Sequence, residues 1–150
     1  MPPETAPAEV EADLHRRIPL SAAMGVRVVS AAVDRVELSA PLAPNINHRD
    51  TLFGGSAAAI ATLAAWALVP LRLAAAGVDT RLVISRSTMV YDSPVTGDFA
   101  AICDAPDEAR WSRFLATLDR RSRARVTVGA RLEEDGRTAA RFTGDFVAIR

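Results

Sequence analysis

The sequence predicts an α+β domain in which a curved antiparallel sheet wraps around one long central helix. Three observations predict it. Residues 51–71 contain no charged side chain, so a helix there has no face suited to water. Segments of alternating apolar character flank that stretch, at 26–39 before it and at 80–94, 99–105, 123–133 and 137–149 after it. No repeat or linker divides the 150 residues, so a single domain is expected. A helix apolar on every side needs cover on every side, and successive strands joined by turns can supply it.

Taken in order, residues 1–6 read as disordered, and 8–17 as a short amphipathic helix with Val10 and Leu14 on one side. Residues 1–14 are therefore set apart as an N-terminal extension, with the domain proper over 15–150. Ile18-Pro19-Leu20 ends the first helix, because a residue before proline avoids helical geometry. Ser21 could cap a further turn. Residues 26–39 make one or two strands turning at Asp34-Arg35, and 41–50, rich in Pro, Asn and Asp, form a loop. The long helix is expected from Thr51, as N-cap, to Ala76, with Gly77 just past its end. Pro70 is expected to kink or end its regular part near Val69. Residues 93–98 form a turn between strands. A second helix is expected over 106–122, opened by Pro106-Asp107-Glu108, with Trp111, Leu115 and Leu118 at helical spacing. Glu134-Asp135-Gly136 marks a hairpin between the last two strands.

Composition narrows the function. Eighteen basic residues, all arginine, balance 18 acidic ones, which argues against a nucleic-acid partner held by bulk charge. Cys103 is the only cysteine; it excludes an intramolecular disulfide and fits a reducing cytoplasm. His15 and His48 are the only histidines, so neither a metal nor another cofactor is expected. Residues 1–13 lack the basic-then-apolar order of a secretory leader. Residues 51–71 are long enough for a membrane span. Their alanine content, with Gly54-Gly55, Ser56, Thr62 and Pro70, points instead to burial in protein, and no membrane span is expected.

The segment Asn45-Ile46-Asn47-His48-Arg49-Asp50-Thr51-Leu52-Phe53-Gly54-Gly55-Ser56 carries the chemistry. First-turn N–H groups of a helix lack helical partners and carry partial positive charge. Paired glycines let a ligand approach them, and a carbonyl oxygen gaining negative charge would be stabilised there. Equally, Gly54-Gly55 could serve only to pack the helix tightly. Asn47 could orient water or a substrate, or simply cap the loop; Asn45 has the same two readings. Asp50 could act as a base or as a solvated carboxylate at the helix start. Thr62, two turns in, could face the same cleft or bond back to the helix. Ser85 could reach the site from the next strand. His48 reads as a surface residue. The arginines at 120, 121, 123 and 125 read as a solvated face that could also grip phosphates.

Asn47, Thr51, Leu52, Gly54 and Gly55 resemble the signature of the hotdog-fold thioesterase superfamily, as does Tyr91-Asp92-Ser93-Pro94-Val95-Thr96-Gly97-Asp98. Asn45, Phe53-Gly54-Gly55-Ser56, Thr62-Leu63-Ala64, Trp66 and 142–148 are similar to the YiiD-type C-terminal thioesterase domain. The resemblance implies a hotdog fold, a homodimer or homotetramer with sites at subunit interfaces, and acyl-CoA or acyl-carrier substrates. The candidate catalytic residues are Asn47, Asp50, Gly54, Gly55 and Thr62, and the candidate substrate contacts are Asn45, Thr51, Phe53, Ser56 and Ser85. Three positions depart from it: Phe53 stands where many relatives have histidine, Asp50 where they have glycine, and Thr62 where they carry the catalytic carboxylate. Threonine alone is no general base near neutral pH. The expected function is thioester hydrolysis; the alternative is a non-hydrolytic thioester-binding or dehydratase-like protein.

Overall fold

In the computed structural model, which describes residues 5–150, six strands form one antiparallel sheet and a single long helix lies across it. The strands are β1 (Arg27–Ala31), β2 (Arg35–Ala40), β3 (Arg81–Tyr91), β4 (Phe99–Asp104), β5 (Arg123–Glu134) and β6 (Arg137–Ile149), in the spatial order β1-β2-β4-β5-β6-β3. The helices are α1 (Pro7–Arg17), α2 (Pro19–Ala23), α3 (Gly54–Ala75) and α4 (Glu108–Arg121). The curved sheet around a central helix is the hotdog arrangement that the sequence predicts.

The core lies between α3 and one face of the sheet. Strand periodicity makes it: Ala124, Val126, Val128, Ala130 and Leu132 alternate inward along β5, and Phe142, Phe146 and Ala148 along β6. Opposite them Ile60, Ala64 and Leu68 of α3 are fully buried. Burying such side chains contributes roughly 1.5–3 kcal/mol each. α3 is long and apolar enough to cross a bilayer, and 61% of its most apolar window is buried within the fold.

The cover is incomplete. Ala58, Thr62, Trp66 and Pro70 form a half-buried stripe along α3, so the sheet does not enclose the whole helix. Pro70 does not end it either; α3 runs on to Ala75. Its ring and Trp66, whose carbonyl lacks the helical N–H donor that proline cannot supply, lie on this stripe, while Leu68, Val69, Arg72 and Leu73 beside it are buried. That burial outweighs the ~3 kcal/mol a helix-interior proline costs. Arg72 pins the far end: Nη1 donates to Val33 O at 2.5 Å, and the guanidinium lies 4.6 Å above the Trp111 ring.

One border of the sheet stays open. β3 ends the sheet, and its flank away from β6 has no neighbouring strand among the described residues. Val83, Ile84, Val90 and Tyr91 on it are exposed. On β5, β4 pairs only from Ala100↔Glu133 to Cys103↔Ala130, and α4 packs beside the rest. α4 is capped by Asp107, which accepts the Arg110 N–H at 2.8 Å. It ends at Ser122 in the left-handed conformation (φ 58°), and β5 starts at the next residue.

The N-terminal segment is more ordered than the sequence suggests. Residues 1–4 of the stretch expected to be disordered lie outside the described residues, but the Thr5 N–H donates to Ala31 O. α1 is tied to β1: Glu11 accepts the Val28 N–H at 2.9 Å, and Leu14 joins the core. Ser21 does not cap a helix start; its hydroxyl donates back to Ile18 O inside α2.

If Pro70 interrupts an otherwise continuous bonding ladder, Pro70→Ala restores the missing N–H donor to Trp66. Stability should rise by about 1–2 kcal/mol, net of the greater freedom alanine gives the unfolded chain. Chemical denaturation reads this out; an unchanged or lower midpoint would contradict it.

Candidate active site

The site is built by holding residues 51–53 out of the helix. Thr51 was expected to cap α3, yet its backbone and hydroxyl are already engaged. Its carbonyl accepts the Asn47 N–H at 2.8 Å, and its hydroxyl accepts from Asn47 Nδ2 at 2.8 Å. The Leu52 N–H donates to Val95 O at 2.9 Å, and the Phe53 N–H to Asn45 O at 2.8 Å. Tied in this way, 51–53 stay extended, and Phe53 takes the N-cap position with no side chain able to cap (φ −64°, ψ 130°). The N–H groups of Gly54, Gly55 and Ser56 then have no hydrogen-bond partner among the described residues. They point along the positive end of a 22-residue helix.

Asn47 closes the preceding loop. Its Oδ1 accepts the N–H of Arg49 at 2.9 Å and of Thr51 at 3.2 Å, while Nδ2 also reaches Leu52 O at 3.4 Å. The amide is thus used up within the loop. Asp50, at the loop tip, is exposed with φ 59°. A left-handed backbone explains why relatives can carry glycine here, and aspartate is among the residues that tolerate it. Asn45 is 2% exposed and donates from Nδ2 to Met24 O and Pro41 O, at 2.9 and 2.8 Å. Its side chain anchors the loop below the site.

The other wall is the β3–β4 connection. A cavity of about 340 Å³ is lined by Thr51, Leu52, Gly54 and Ala57 on one side and by Tyr91, Asp92, Ser93, Pro94 and Val95 on the other. Tyr91 donates its hydroxyl to Gly54 O at 3.1 Å, and a Cβ on Gly54 would lie 3.4 Å from its ring. A Cβ on Gly55 would overlap the Phe53 ring, which folds over it. Phe53 and Tyr91 are 55% and 56% exposed, leaving two aromatic faces open at the helix start. The connection itself hangs on Glu134, 8% exposed, which accepts the Thr96 N–H at 3.1 Å. A Cβ on Gly97 would lie 2.9 Å from its carboxylate, so a larger residue there would push the Glu134 side chain aside.

The structure thus brings Thr51, Phe53, Gly54, Gly55 and Ser56 together around the cavity and the helix start. Asn47 and Asp50 sit in the adjoining loop. Thr62 and Ser85 lie elsewhere: the Thr62 hydroxyl bonds back to Ala58 O at 2.7 Å, and Ser85 donates to Asp145 O at 3.3 Å from a bulge in β3. His48 is exposed. Tyr91 and Asp92 were not singled out as site residues from the sequence, although the motif containing them was. The Arg141 guanidinium, 3.0 Å from Asp92, holds its carboxyl below the usual range by hydrogen bonding. Cys103 is not a nucleophile: burial pushes its thiol up to about 12. Among the described residues no cluster of three or more metal-binding side chains occurs.

An uncapped helix start leaves stability unclaimed. Phe53→Ser supplies the missing oxygen acceptor and should stabilise the fold by roughly 1 kcal/mol, measurable by denaturation. A loss of stability would show that the Phe53 ring contributes more than the cap.

The sequence and the fold both recur in known proteins. Residues 7–150 match the family described as "Putative thioesterase (yiiD_Cterm)". A crystal structure described as a "putative thioesterase" from Shewanella oneidensis is 32% identical, with a TM-score of 0.85 over 96% of this chain and 97% of that one. A protein of unknown function from Chlorobaculum tepidum is 30% identical, with a TM-score of 0.87 over 95% and 93%. A "Probable Thioesterase" from Pseudomonas aeruginosa has the same fold at 20% identity, with a TM-score of 0.83 over 96% of each chain. By family match and by fold, the chain belongs to the YiiD C-terminal thioesterase family of hotdog proteins.

Proposed function

We propose that this protein hydrolyses acyl thioesters of coenzyme A or an acyl carrier, at a site completed by a second copy of the chain. The observation that carries the reading is the set of unpartnered N–H groups at Gly54, Gly55 and Ser56 beside a cavity. A thioester carbonyl oxygen placed there accepts those N–H groups. Water adds to the carbonyl carbon, the negative charge moves to that oxygen, and the C–S bond breaks to release thiol and carboxylate. Stabilising the oxyanion with one fixed donor is worth about 2.7–4 kcal/mol. Asn47 contributes by holding Thr51–Phe53 in place. Asp50 at the loop tip is the carboxylate left free to take the proton of water and pass it to the departing thiolate, since Asp92 at the cavity is committed to Arg141. The exposed faces of Phe53 and Tyr91 suit the apolar part of the acyl group or its carrier arm.

The second copy is argued from β3. An eleven-residue edge strand with apolar side chains is a template for pairing. Pairing with another β3 across a two-fold axis would extend the sheet and cover both edges at once. The half-buried stripe of α3 also favours further contacts.

One observation favours a second reading. α3 carries no Asp or Glu, and the Thr62 hydroxyl is committed to Ala58 O. A protein that holds thioesters without hydrolysing them would look the same at the helix start.

Purified protein should release free thiol from acyl-CoAs. Phe53→Ser should lower kcat by about tenfold or more, because the new cap competes for the same N–H groups. Tight acyl-CoA binding by calorimetry without thiol release would establish the second reading; no binding and no release would remove both. For the assembly, Val83→Asp with Ile84→Asp should convert a dimer to a monomer in light scattering. A wild-type monomer would refute β3 pairing.

A further inference from the structure

Two rows of arginine converge where α4 meets β5. Arg113, Thr117 and Arg121 recur every four residues and so share one face of α4. Arg123, Arg125 and Thr127 alternate along β5 and so share one face of the strand. Ser122 is the whole connection, and its left-handed turn folds the helix back beside the strand. Helix row and strand row thereby become the walls of one furrow. Two adjoining hollows of about 600 and 460 Å³ occupy it and share Thr117 and Arg125 as lining. The furrow lies on the outer face of the sheet, away from α3: Arg125 is exposed, while Ala124 and Val126 on either side are buried in the core.

The charges in this furrow lack counter-ions. Arg113, Arg121, Arg123 and Arg125 make no salt bridge among the described residues. Elsewhere on the sheet, Arg35, Arg131 and Arg141 are each paired with an aspartate. The carboxylate across from Thr127, Asp145, accepts the Thr127 hydroxyl at 2.7 Å. Four like charges brought together without partners repel one another, and an anion between them relieves this. Guanidinium groups match phosphate oxygens two at a time. The hollow has the size of a small-molecule site rather than a flat protein-docking face.

We propose that this furrow binds the phosphates of a nucleoside diphosphate, with Arg113 and Arg121 of α4 on one side, Arg123 and Arg125 of β5 on the other and the Thr117 hydroxyl donating between them. The site does not depend on the thioesterase reading. Two sources carry this chemistry: the nucleotide end of an acyl-CoA substrate, or a free nucleotide acting as an effector.

Calorimetry with ADP as probe and adenosine as control tests it. ADP should bind, adenosine should not, and added salt should weaken the binding. Arg121→Ala with Arg123→Ala and Arg125→Ala should weaken ADP binding at least about tenfold, with far-UV circular dichroism unchanged. Should that variant fail to fold, Arg125→Gln alone should still weaken binding several-fold. No binding of ADP at millimolar concentration, equal binding of adenosine, or unchanged affinity in a folded variant would overturn the site. Kinetics separates the sources. A raised KM for acyl-CoA, with no change for the same acyl group on N-acetylcysteamine, assigns the furrow to the substrate. Unchanged KM for both, with ADP binding lost, assigns it to a free nucleotide. Hydrolysis of the N-acetylcysteamine ester reports the thioesterase reading by itself, since that ester has no nucleotide.

Discussion

The site depends on a constraint outside the helix that presents it. Residues 51–53 could continue α3 by one more turn, and Thr51 is a competent cap. They are prevented because other segments take their hydrogen bonds first. Val95 takes the Leu52 N–H, Asn45 the Phe53 N–H, and the Asn47 amide takes Thr51. Glu134 stands behind the first of these, since it fixes the turn on which Val95 sits. Free donors at a helix start are therefore a product of tertiary structure. They persist because three separate segments agree on where the helix must begin.

The apolar character of α3 reflects the same dependence on its surroundings. A helix whose one charged residue is Arg72, in its last turn, has little intrinsic reason to stay in water, so packing against the sheet defines it. That packing is strong enough to carry Pro70 within the helix. It is also one-sided, and the stripe at Ala58, Thr62, Trp66 and Pro70 is left partly uncovered. Lone apolar side chains at a surface are ordinary; a whole half-covered helical stripe is less so.

Much of this was legible in the sequence, and the failures have a common cause. Alternation in β5 and the Asp-Gly turn after it were readable because they are local. So was the long uncharged helix. Thr51 misled because a cap residue was judged by type, while its bonds were claimed by residues outside the helix. Pro70 misled because local breaking strength was not weighed against burial. Spacing singled out Thr62 and Ser85 but does not report hydrogen bonding, and here their hydroxyls bond to the Ala58 and Asp145 carbonyls. Asp92 and Tyr91 were missed in the opposite way. They reach the cavity only because β3, the edge strand, ends beside Gly54, and no local pattern reports that.

The burial of Cys103 has a practical side. Its sulfur is fully enclosed and hydrogen-bonds Gly129 O at 3.3 Å, and the chain contains no lysine. Thiol-directed dyes and spin labels therefore find no ready target on the native surface. A cysteine introduced at the rim of the cavity or along the α4–β5 furrow would be the one addressable position, giving a clean spectroscopic ruler without first stripping the protein of its own reactive groups.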